Sequence, residues 1–117
     1  MLQVVHFLIY SVSAQKQVGS KYAASPRDEA RDLTGFAGRA QRAMNNHFEG
    51  LILFSIACLV ITFADKGGKL TALCALTYLA ARLLYIPAYL FGWSPWRSLI
   101  WIIGFAATTL ILLLALI

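Results

Sequence analysis

Three long apolar runs limit what this chain can become. Phe48 to Ala64 contains one charge, Glu49, near its start. Leu70 to Phe91 contains one, Arg82, and Leu99 to Ile117 contains none. Each is close to the ~20 residues a helix needs to cross about 30 Å of hydrocarbon. A soluble chain of 117 residues that is 60% hydrophobic and 13% charged has too much surface to hide its apolar side chains. The pattern specifies an all-α membrane protein that crosses the bilayer several times.

A fourth apolar run, Leu2 to Ala14, is too short to span and contains Gln3 and His6. We read it as the second half of a spanning helix whose start lies upstream of Met1, with a surface-lying helix as the alternative. No basic stretch precedes it, so a signal peptide is not expected. The expected architecture is a four-helix transmembrane bundle per protomer, the first helix being incomplete.

The net charge of +5 is unevenly placed. Lys16, Lys21, Arg27, Arg31, Arg39 and Arg42 lie between the Leu2–Ala14 and Phe48–Ala64 runs, and Arg97 lies in the connection over residues 92–98. The positive-inside rule puts residues 15–41 and 92–98 in the cytoplasm and both termini across the membrane. In a bacterium this is the inner membrane. The basic loop suits orientation and anionic lipid. No basic surface interleaved with aromatics suggests nucleic acid.

Lys16 to Asp32 reads as a loop, with Asp32 or Thr34 as the cap of the next helix. Gly67-Gly68 predicts a tight turn and antiparallel neighbours. Pro87 is expected to kink the helix over Leu70 to Phe91. Trp93, Trp96 and Trp101 suit an interfacial aromatic belt. Cys58 and Cys74 lie among apolar residues without a base or a metal-ligand spacing, so they read as packing residues, and no metal site is expected.

Two polar stripes stand out. Arg39, Arg42, Asn46 and Glu49 step by three, four and three residues. At roughly 100° per residue they share an arc of about 80° on one helix. Tyr78, Arg82, Tyr85 and Tyr89 share an arc of about 60° on the next. Charges inside a membrane segment need partners, because each costs about 2.5–3.5 kcal/mol or more at the bilayer centre. Glu49 is the expected partner of Arg82, being the one carboxylate within the long apolar runs.

These residues form R-x-x-R-x-x-x-N-x-x-E at Arg39, Arg42, Asn46 and Glu49, then A-R-x-x-Y-x-x-x-Y at Ala81, Arg82, Tyr85 and Tyr89. A third element is Pro95-Trp96-Arg97-Ser98. In this order the chain, from about Lys21 onward, resembles the MAPEG superfamily, the membrane-associated proteins in eicosanoid and glutathione metabolism, in a prokaryotic-type form. The resemblance implies one transmembrane domain over residues 1–117, assembled as a homotrimer with glutathione sites between subunits. It implies that Arg39, Arg42, Asn46, Glu49, Arg82, Tyr85, Tyr89 and Ser98 bind glutathione as co-substrate and that Arg97 is catalytic. It also allows Lys21 to stand in for a basic residue near the end of the first helix. Glutathione has two carboxylates and an ammonium, which suits guanidiniums beside one carboxylate. A guanidinium at its sulfur favours thiolate.

The implied activity is glutathione-dependent transfer or peroxide reduction on a lipophilic substrate entering from the bilayer. The alternative is a non-catalytic trimeric membrane subunit that binds a lipid or a larger membrane complex. Intramembrane polar residues also hold helices together, so the stripes alone serve either role. Without a broken-helix pair, a transporter is disfavoured.

Overall fold

A computed structural model describes residues 1–117. Helices take up 80% of the chain and there is no strand. They are α1 (Leu2–Val18), α2 (Ser20–Ala24), α3 (Gly35–Phe63), α4 (Lys69–Leu90) and α5 (Trp96–Leu116). Helices α3, α4 and α5 are long and apolar enough to cross a membrane. At 1.5 Å per residue, 29, 22 and 21 residues measure about 43, 33 and 31 Å. The 17 residues of α1 reach about 25 Å, short of a full span.

The order of contacts shows how the helices run. Asn46 meets Arg82, Phe54 stacks on Tyr78, and Ala57 and Ile61 share a cluster with Cys74. Later residues of α3 thus meet earlier residues of α4, and the two are antiparallel. His6 stacks on His47 and Gln17 bonds to Thr34, so α1 also runs antiparallel to α3. It accompanies only the first half of α3. Three helices are therefore span-capable, and α1 packs on α3 without reaching the length of a full span.

Small residues let α3, α4 and α5 approach closely, the usual solution where lipid removes the hydrophobic drive between helices. Ala57, Ile61, Cys74, Tyr78, Ala107, Ile111 and Ala115 form the core cluster. A Cβ on Gly104 would sit 3.5 Å from the Ala81 Cβ, an ordinary contact distance. Large apolar side chains such as Leu73, Leu76, Leu84 and Ile102 point outward instead. In a membrane such an apolar surface suits lipid contact.

The connections differ from the sequence reading in three places. Residues 16–32 are not all loop: α1 continues to Val18 and α2 forms a short turn of helix before Ser25. Thr34 occupies the N-cap of α3, but its side chain makes no cap bond. Instead Gln17 Nε2 donates to Thr34 Oγ1 at 3.1 Å, and the Thr34 N–H donates to Gln17 Oε1 at 2.9 Å. A glutamine from α1 has replaced the local cap. In the turn after α3 the left-handed residue is Asp65, with φ 52°, rather than either glycine. Lys66 Nζ there donates to the Ala115 carbonyl at 3.1 Å and ties the turn to the end of α5.

Candidate functional site

Helix α4 brings most of the site together. Arg82 is 4% exposed, and its Nη1 donates to Asn46 Oδ1 on α3 at 3.0 Å. Its guanidinium lies 5.2 Å from the Tyr78 ring centre and 5.6 Å from that of Tyr85. Two aromatic faces and one amide thus hold a buried cation. Tyr85 packs on Tyr89 at 5.4 Å, and the Arg97 guanidinium at the start of α5 lies 5.1 Å over the Tyr89 ring. The result is a continuous chain from Asn46 through Arg82, Tyr85 and Tyr89 to Arg97. It lies in the half of the bundle nearer the 92–98 connection.

Glu49 is exposed and forms no ion pair with Arg82, contrary to the sequence expectation. It does line a cavity of about 100 Å³ together with Gly50, Tyr78, Arg82 and Trp101. Helical periodicity placed both groups on facing stripes, but an amide one turn earlier took the hydrogen bond. The Arg82 Nε is buried without a partner. This geometry predicts a double-mutant outcome. Asn46→Ala and Arg82→Met should each destabilise the folded protein in detergent, with a combined loss smaller than the sum by about 1 kcal/mol or more. Glu49→Gln and Arg82→Met should add. Thermal unfolding of the three single and two double variants checks this.

The other predicted residues divide. Arg39 Nε donates to the Leu90 carbonyl at 2.8 Å and clips α3 to the end of α4. Arg42 and Ser98 are exposed. Neither side chain makes a hydrogen bond within the chain, so the fold does not join them to the Asn46–Arg97 chain.

Sequence reasoning missed two features. Gly50 is one. A Cβ there would fall 1.8 Å from Arg82 Nη2 and 3.2 Å from the Tyr78 hydroxyl, so only glycine leaves the guanidinium its seat. No periodicity reveals this, since the need arises on a different helix. The second is a histidine pair. The His6 and His47 rings stack at 4.6 Å and 15°, both buried. His6 Nε2, His47 Nδ1 and both polar atoms of the Gln3 amide have no partner. A signal existed, because Gln3, His6 and Tyr10 step by three and four residues along one face of α1.

The fold and this buried polar chain define an all-helical integral membrane protein with polar residues gathered inside the bundle. The chain belongs to the MAPEG family, whose model matches residues 1–117. Members of that family are generally associated with glutathione. No curated protein and no solved structure matches the chain.

Proposed function

We propose that this protein is a membrane-embedded, glutathione-dependent transferase or peroxidase for lipophilic substrates. The observation that carries the reading is Arg82: a buried guanidinium held by Asn46, with an orphaned Nε and Glu49 on the same cavity. A buried cation with unsatisfied donors suits a ligand carboxylate. Glutathione offers two carboxylates and one ammonium. Arg42, Arg82 and Arg97 supply positive charge, and Glu49 supplies the negative charge an ammonium needs. The donor set therefore fits.

Glutathione supplies the thiol. In the proposed scheme Arg97 holds the sulfur in its thiolate form, the proton leaving to water, and Ser98 is a second donor. Arg39, whose Nε braces α3 against α4, joins Arg42, Asn46, Glu49, Arg82, Tyr85 and Tyr89 in binding the tripeptide. In transfer, a carbon–sulfur bond forms and the leaving group departs with its electron pair. In peroxide reduction, two glutathione molecules give a disulfide, and the hydroperoxide gives an alcohol and water. The lipophilic substrate arrives through the bilayer.

The reading includes a four-helix protomer within a homotrimer. The exposed apolar side chains of α3, α4 and α5 support such an assembly, because only 17–28% of each span is buried within one chain. It also includes the topology set by the basic loop, with residues 15–41 and 92–98 in the cytoplasm and, in a bacterium, location in the inner membrane. Cysteines introduced as Ser25→Cys and Gly67→Cys, in a background lacking Cys58 and Cys74, test this in intact cells. An impermeant maleimide should label position 67 and spare position 25. The reverse pattern contradicts the orientation. Glutathione titration of the detergent-purified protein tests the function itself.

A further inference from the structure

A second cavity, of about 330 Å³, opens between α1, α2 and the start of α3. It shares no residue with the Asn46–Arg97 chain. One wall is apolar, made by Phe7, Tyr10, Ala14, Val18 and Leu33. Phe7 to Val18 covers about 16 Å of α1 at 1.5 Å per residue, so this wall reaches well into the depth of a bilayer leaflet. At the loop end stand Arg27 and Arg31, and no carboxylate lines the cavity. Asp28 and Glu29 line a neighbouring cavity that shares Val18, Tyr22, Arg27 and Arg31 with this one.

Both guanidiniums are held in place and keep donors to spare. Arg27 donates from Nε at 3.2 Å and from Nη2 at 2.8 Å to a single acceptor, the Ala23 carbonyl. Arg31 donates from Nη1 to the Val18 carbonyl at 3.1 Å and lies 4.4 Å over the Tyr22 ring. The Tyr22 hydroxyl in turn donates to the Glu29 carbonyl and accepts from the Arg31 N–H. Each guanidinium has five N–H donors, so most remain free for an anion. Arg27 takes φ 60°, a backbone conformation that side chains other than Asn and Asp rarely adopt. A cationic rim above a slot with one apolar wall, and Ser11, Gln15 and Gln41 among its other lining residues, matches an acidic lipid, phosphate at the rim and chain along the wall.

We propose that this cavity is a binding site for one anionic membrane phospholipid, with Arg27 and Arg31 holding the phosphate. The proposal rests on the membrane location and is independent of glutathione.

Titration of the detergent-purified full chain with dioleoylphosphatidylglycerol, followed by native mass spectrometry, tests it. Dioleoylphosphatidylcholine is the neutral comparison, and circular dichroism checks the helix content of each variant. One phosphatidylglycerol per chain should bind in preference to phosphatidylcholine. The R27Q/R31Q double variant should weaken it about tenfold or more. Ala14→Phe, which fills the slot and keeps both arginines, should weaken it to a similar degree. If R27Q/R31Q loses helix, Ala14→Phe alone decides. Equal affinity for the two lipids overturns the proposal. So does full binding by Ala14→Phe, which would show diffuse surface attraction. Displacement of the lipid by sodium phosphate at constant ionic strength also overturns it, since free phosphate would then be the ligand.

Discussion

Arg97→Ala is expected to cut turnover about 100- to 1,000-fold while leaving glutathione affinity within a few-fold. The magnitude is that of removing one preorganised donor from a developing or stabilised anion. The split follows from where the interaction is made. A guanidinium that favours thiolate acts on the reactive state, so its loss appears in kcat more than in ground-state binding. The position of Arg97 supports this assignment. It is half-buried at the first turn of α5, and the Tyr89 ring 5.1 Å away holds the guanidinium without using its donors. Turnover is measured with an aryl halide and with a lipid hydroperoxide. Equal losses in affinity and turnover would mean that Arg97 binds glutathione elsewhere than at sulfur. Arg97→Lys keeps the charge but loses the planar fork, and should recover part of the rate.

Gly50→Ala should remove most glutathione binding without unfolding the bundle. The added methyl would stand 1.8 Å from Arg82 Nη2 and 2.7 Å from Cζ. Something must move. Tyr78 is fixed by its stack on Phe54, ring centres 3.9 Å apart, so the flexible arginine gives way. Its bond to Asn46 is then lost, and a hydrogen bond to a charged group is worth about 1.5–3 kcal/mol. Affinity should fall roughly 10- to 100-fold, and the melting temperature should drop because a buried cation has lost its acceptor. Gly50→Ala combined with Arg82→Met should regain part of the melting temperature and none of the binding. Unchanged affinity in Gly50→Ala would remove Arg82 from the site.

The three spans were legible because each is a long apolar run with at most one charge, and no competing structure hides so much apolar surface. The stripe on α4 was legible for a similar reason: a 3.6-residue period places Tyr78, Arg82 and Tyr85 on one face, and all three are buried there. The partner across the helix interface was not legible. Asn46 and Glu49 sit on the same face of α3, and about 4.5 Å of rise between them decides which one meets Arg82. That offset depends on how α3 and α4 slide past each other, which no single-helix pattern encodes. Arg39 illustrates the same limit. It belongs to the stripe by spacing, yet its Nε ends on the Leu90 carbonyl because α4 stops there and leaves an acceptor open. Thr34 looked like a cap, but Gln17, distant in sequence, took both its N–H and its hydroxyl. Gly50, His6 and His47 gain meaning only when a neighbouring helix arrives.

The central claim is that the polar chain from Asn46 to Arg97 serves glutathione. The most direct measurement is calorimetric titration of the detergent-purified protein with glutathione, with ultraviolet absorbance of the thiolate recorded in parallel. The account predicts saturable binding in or below the millimolar range, with thiolate absorbance near neutral pH that Arg97→Ala abolishes. It also predicts weaker binding for Arg42→Ala, by about 1.5–3 kcal/mol. Absence of binding at millimolar glutathione would contradict it, and would leave the two stripes as contacts between helices and subunits.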